Sequence, residues 1–155
     1  SSRRPDATGN EVEGCFTPGD GSGVTFCTVQ KAMKRITVES PLAGDVKVNE
    51  EFARAVCHYI TKRGDSPYAS HLFFTQFLDD LNPEERTQGI EAGFAWGMWG
   101  NEVWFCLEKG RHADLSNSMK LGHQRYSGQV ACVKVWFEWN EGHTEVHPIS
   151  FTPVL

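Results

Sequence analysis

The sequence predicts a three-layer α/β domain, a parallel sheet with helices on both faces. Three observations carry this. From Arg35 onward, strand-like and helix-like runs alternate β-α-β-α-β-α-β, the order that winds parallel strands with crossover helices. The stretches 102–107 and 130–137 are near-continuous apolar runs, as strands covered on both faces require. The chain has 155 residues, 39% of them apolar, with ten Phe and five Trp, which is enough for one proper core.

The elements follow in order. Residues 1–13 are polar and read as a loose tail. Cys15-Phe16-Thr17 and the run 24–29 flank Pro18-Gly19-Asp20-Gly21-Ser22-Gly23, whose Gly and Asp supply the positive φ of a tight reversal. Residues 1–34 therefore read as a tail and hairpin extension, and 35–155 as the α/β domain. Ile36-Thr37-Val38-Glu39 is a short strand stopped by Pro41 and Gly44. Asn49 is the expected cap of a helix whose apolar face is Phe52, Val56, Tyr59 and Ile60, ending near Gly64. Residues 66–70 read as a second strand, followed by an aromatic-rich stretch, 71–78. Asn82-Pro83-Glu84-Glu85 is a helix start, with Asn as cap, Pro at N1 and Glu85 closing a capping box. Ile90, Phe94 and Gly97 are its expected buried face, and core packing is expected of Trp96 and Trp99. Residues 116–126 form a weaker helix, and 144–151 a C-terminal edge strand.

Composition narrows the function. A net charge of −5 lacks the basic footprint of a nucleic-acid binder, so nucleic acid is not an expected partner. No apolar run approaches the roughly 20 residues that span a bilayer, so no membrane partner is expected either. The polar opening Ser1–Asp6 lacks the apolar region of a signal peptide, and a cytoplasmic, reducing compartment is expected. Five cysteines without a C-x-x-C pair indicate neither a disulfide framework nor a zinc ribbon. Cys57, Cys106 and Cys132 sit in apolar runs as small hydrophobes, and Cys15 and Cys27 read as unpaired thiols. His143 and His147 lie four apart on the same expected face but lack a third ligand, so no metal and no cofactor is expected.

Val38-Glu39-Ser40-Pro41-Leu42-Ala43-Gly44-Asp45, followed by Asn49 and Ala53-Arg54, resembles the opening of the nucleoside 2-deoxyribosyltransferase-like superfamily. The likeness is greatest to its small branch in bacteria and phages. Ser66-Pro67-Tyr68-Ala69-Ser70-His71-Leu72, Thr75-Gln76 with Leu78-Asp79-Asp80, and Pro83-Glu84-Glu85-Arg86 with Gly89-Ile90-Glu91-Ala92-Gly93 extend it, over roughly 35–135. The resemblance implies a flavodoxin-like sheet, a nucleoside- or nucleotide-like ligand and a homo-oligomer. The superfamily's transferases cleave an N-glycosidic bond through a covalent sugar–glutamate intermediate, since a carboxylate can attack C1′ and leave again. The position of that Glu falls on Gly122, and no acidic residue lies between Leu115 and Ala131.

In such sheets ligands sit beyond the carboxyl ends of the strands, which places the pocket at the loop 39–45. Glu39 is a sugar-hydroxyl acceptor, a base, or a solvated loop carboxylate. Glu91, on a small and apolar stretch of helix, is expected to be partly buried with a raised pKa, and forms the acid/base pair with Glu39. Asp80 and Glu84 belong to an acidic cluster at a helix start, where either capping or a general acid/base role is open. Ser40, Pro41, Gly44 and Asp45 offer ligand contacts or plain turn chemistry. His71 is a ligand donor or a satisfied structural histidine, Met119 lies beside the ligand, and Arg86 binds an anion or pairs with the nearby acids. Three functions remain open: an N-glycosidic hydrolase or transferase, a binding module that kept the pocket and lost the chemistry, and an inhibitor of a host protein.

Overall fold

The strands β1 (Val12–Phe16) and β2 (Phe26–Gln30) pair antiparallel as the expected hairpin, with Cys15 opposite Cys27. The structure, a computed structural model, describes residues 12–23, 26–30 and 32–155, the segments 12–16 and 26–30 as backbone. The tail expected at 1–13 therefore lies mostly outside the described residues, as do the Cys15 and Cys27 thiols. The chain divides into two units, 1–34 and 35–155.

The second unit is a mixed α/β domain on a five-stranded sheet of order β4-β3-β5-β6-β7. β3 (Arg35–Glu39) pairs parallel with β4 (Ser66–Tyr68) on one side and with β5 (Glu102–Glu108) on the other. β6 (Ala131–Glu138) continues parallel to β5. The edge strand β7 (His147–Pro153) instead runs antiparallel to β6, because a short connection from 139 to 146 reverses the chain. His143 lies in that connection and only His147 is on the strand, so the two do not share a strand face.

Alternate residues of β5 feed two core clusters, which therefore lie on opposite faces of the sheet. Trp104 and Cys106 pack with Phe52, Val56 and Ile60 of α1 (Val46–Lys62). Val103, Phe105 and Leu107 pack with Met119 and Tyr126 of α4 (Asn117–Tyr126), joined by Phe94 of α3 (Pro83–Gly97).

Three helix expectations need correcting. α1 begins one turn earlier than expected: Asp45, not Asn49, is its cap, accepting from the Val48 N–H at 3.3 Å. Asn49 is instead buried inside the helix. Asn82 does cap α3 through the Glu84 and Glu85 N–H groups, but the Glu85 carboxylate accepts from the Asp79 N–H at 2.5 Å instead of closing a capping box. The buried face of α3 is made by Gly93 and Gly97, while Ile90, Trp96 and Trp99 are exposed. Between β4 and α3 the aromatic stretch folds as α2 (Ser70–Phe73) and a 3₁₀ turn, Phe74–Gln76. Among the described residues, no helix is long and apolar enough to cross a membrane.

Candidate functional site

The chain leaves β3 toward β4 on one side and returns through α3 to β5 on the other, so its winding reverses beside β3. Loops diverge at such a point and leave a crevice beyond the carboxyl ends of the strands. A two-lobed cleft lies there, and Glu39, Ser40, Ser70, Arg86, Ile90 and Ser118 line both lobes. The first lobe, about 160 Å³, adds Leu42 and Ala43 of the β3–α1 loop, His71, Thr75, Asp80 and Glu85. The second, about 420 Å³, adds Gly93 and Phe94 of α3 with Met119, Leu121, Gly122, Arg125 and Tyr126 of α4.

Glu39 stands at the junction as the last residue of β3. Its Oε1 accepts a 3.0 Å hydrogen bond from the Tyr126 hydroxyl. Burial disfavours the charged form and pushes the carboxyl up to about 7, while the Tyr126 bond pulls the other way. Near neutral pH the carboxyl is thus divided between its acid and base forms, as general acid/base work requires. Burial and the Glu39 charge together push the Tyr126 phenol up, so it remains a donor.

Ser40 Oγ and His71 Nε2 share a 2.8 Å hydrogen bond across the first lobe. Burial lowers His71 to about 4, so its ring is neutral at physiological pH. The imidazole offers hydrogen bonds there, without charge. The loop beside them, residues 41–45, turns through Gly44 at φ +94°, a conformation that favours glycine. Asn49 donates from Nδ2 to the carbonyls of Leu42, at 3.1 Å, and Ala43, at 2.9 Å.

Of the residues singled out by sequence, the cleft gathers Glu39, Ser40, His71, Asp80 and Met119. Pro41, Gly44, Asp45, Glu84 and Glu91 are not among its lining residues. Gly44 and Asp45 shape the turn and cap α1, and Glu84 lies in the exposed first turn of α3. Glu91 is a correction. It is exposed on α3, where Arg125 grips both carboxylate oxygens at 2.6 and 3.0 Å and lowers its pKa. The helix position looked apolar in sequence, but its side chain turns to a partner on α4. Of the two readings of Arg86, pairing with an acid is not found among the described residues, and the side chain lines both lobes.

Sequence reasoning missed Tyr126, the direct partner of Glu39. It lies 87 residues away in the chain, at the end of a weakly patterned helix, and no local signal marks it. Gly97 allows its approach, because a Cβ there would fall on the Tyr126 hydroxyl. The spacing Gly89, Gly93, Gly97 is visible in the sequence and was the available clue to a close contact on this helix.

A family model described as "Domain of unknown function (DUF7768)" matches residues 34–135. That stretch takes in both lobes of the cleft. No curated protein and no solved structure matches the chain.

Proposed function

We propose that this chain, which belongs to the DUF7768 family, binds a nucleoside-like small molecule across the two lobes, with Glu39 as the proton-sharing carboxylate between them. The observation that carries this reading is Glu39 itself, raised to about 7 and held by Tyr126 where the lobes meet. The first lobe presents Asp80, Glu85, Thr75 and Ser40, groups that hydrogen-bond a sugar's hydroxyls. The second presents Phe94, Met119 and Leu121, suited to the flat, weakly polar face of a base. The strand order β4-β3-β5-β6 follows the flavodoxin-like 2-1-3-4 winding and supports that assignment. Gly122, where the resemblance puts the transferase carboxylate, lines the second lobe, which favours binding over covalent transfer.

The near-neutral Glu39 favours hydrolysis as a second reading. In that case ionised Glu39 takes a proton from water as the water oxygen bonds to C1′. The C1′–N bond breaks, its electron pair leaves with the base, and the base takes up a proton from solvent.

Calorimetric titration with the common ribo- and deoxyribonucleosides tests the first reading. Binding by the parent, weakened about tenfold or more in Glu39→Gln, is expected. Absence of heat with every nucleoside overturns it. Chromatography of the same mixtures for free base tests the second, since hydrolysis must be lost in Glu39→Gln.

A further inference from the structure

Three residues that line neither lobe, Glu108, Arg111 and Asn49, form a chain of contacts that ends on the cleft. Glu108, the buried last residue of β5, forms an ion pair with Arg111, its Oε2 lying 3.0 Å from Nε. A second nitrogen of the same guanidinium, Nη2, donates to Asn49 Oδ1. Asn49, itself buried on α1, spends its two Nδ2 hydrogens on the carbonyls of Leu42 and Ala43. Those two residues line the first lobe.

Each link uses a group suited to it. A buried carboxylate is costly unless a cation pairs with it, and Arg111 supplies that charge. A guanidinium presents donors on several edges of one plane, so one arginine serves a carboxylate and an amide oxygen at once. With its oxygen engaged by Arg111, the Asn49 amide is oriented with both hydrogens toward the loop. Ser40 ties the start of the loop to His71 and Asp45 caps α1 at its end; between them Gly44 adds conformational freedom, and the Asn49 amide holds the Leu42 and Ala43 carbonyls.

We propose that Arg111 is a positioning residue for the cleft: by holding Asn49 it sets the Leu42–Ala43 wall in the shape that receives the ligand. The proposal rests on the reading of the cleft as a ligand site. It assigns a role to the β5–α4 loop, which contributes Arg111 without lining either lobe.

Arg111→Lys separates positioning from charge compensation. Lysine still neutralises Glu108, but its single nitrogen cannot stand at both the Nε position against Glu108 and the Nη2 position against Asn49. The expected result is a folded protein whose backbone ¹⁵N order parameters at Leu42, Ala43 and Gly44 fall from about 0.85 toward 0.6 or below. Nucleoside affinity measured by calorimetry should weaken about tenfold with the thermal midpoint nearly unchanged. Unchanged order parameters overturn the proposal, and so does a loosened loop with unchanged affinity. If the lysine variant does not fold, the double variant Glu108→Gln with Arg111→Met leaves no buried charge unpaired, and the same fall in order parameters is required of it. The order parameters are read without ligand. They therefore decide the loop's anchoring even if no nucleoside binds the parent, an outcome that overturns the proposed ligand and not the anchor.

Discussion

The Tyr126 hydroxyl, at the end of α4, donates to Glu39 Oε1, at the end of β3, across 3.0 Å. The bond favours the ionised carboxyl, and burial favours the protonated one. Their balance leaves Glu39 near 7, so small changes around it move its charge within the physiological range.

Tyr126→Phe removes the bond and keeps the ring. The Glu39 pKa should then rise above about 7. A hydrogen bond to a charged group contributes about 1.5 kcal/mol, which corresponds to a rise of roughly one unit. Carbon-detected NMR titration of the glutamate side chains measures this. A pKa that stays or falls rules out Tyr126 as the group favouring the ionised form.

Gly97→Ala should mimic that change from another element. Helix propensity alone would favour alanine by about 1 kcal/mol. The new Cβ, however, falls on the Tyr126 hydroxyl and 3.2 Å from Thr37 Cγ2. Overpacking of this kind costs about 1–3 kcal/mol, so net destabilisation is expected in chemical denaturation. The Glu39 pKa should rise with it. A more stable variant with an unmoved Glu39 would show that the contact relaxes freely.

Glu39 and His71 give stability opposite pH slopes. Glu39 is raised from 4.5 to about 7, so its contribution is complete below 4.5 and is lost as pH rises to 7. His71 is lowered from 6.5 to about 4, so its contribution is complete above 6.5 and is lost as pH falls to 4. Each shift corresponds to roughly 3–4 kcal/mol. From about pH 4.5 to 6.5 the two should largely cancel in the parent. Glu39→Gln should expose a stability that rises with pH across that window, and His71→Gln one that falls. Urea denaturation in steps of pH measures both slopes, and identical slopes in the two variants would refute the assignment.

Glu91→Gln breaks the exposed pair with Arg125. Exposed ion pairs contribute little, so the thermal midpoint should hardly move. The Glu39 titration should also stay in place. A displaced Glu39 pKa would return Glu91 to the acid/base role that its helix position first suggested.

The alternation of strand and helix from Arg35 onward, the Asn82-Pro83 helix start and the two apolar runs were all legible in the sequence. Each is a local pattern, in which period, cap chemistry and turn residues act on near neighbours. Glu39 and Ser40 were legible for a related reason, because a strand followed by Pro41 and Gly44 must end where α/β folds place their crevices. Glu91 was misjudged because apolar neighbours along a helix do not say which way one side chain faces. The Asp45 cap was misread for a similar reason: Asn49 is also a good capping residue, and its burial against Leu42 and Ala43 was invisible. The sequence by itself determined the elements, their order and the strand end that carries Glu39. Only the tertiary structure decided what that carboxylate meets. The fold brings Tyr126 from 87 residues away, lets it close over Gly97, and ties the opposite wall through Asn49 and Arg111. Contacts between distant residues depend on how helices pack on the sheet, and no local pattern encodes that geometry.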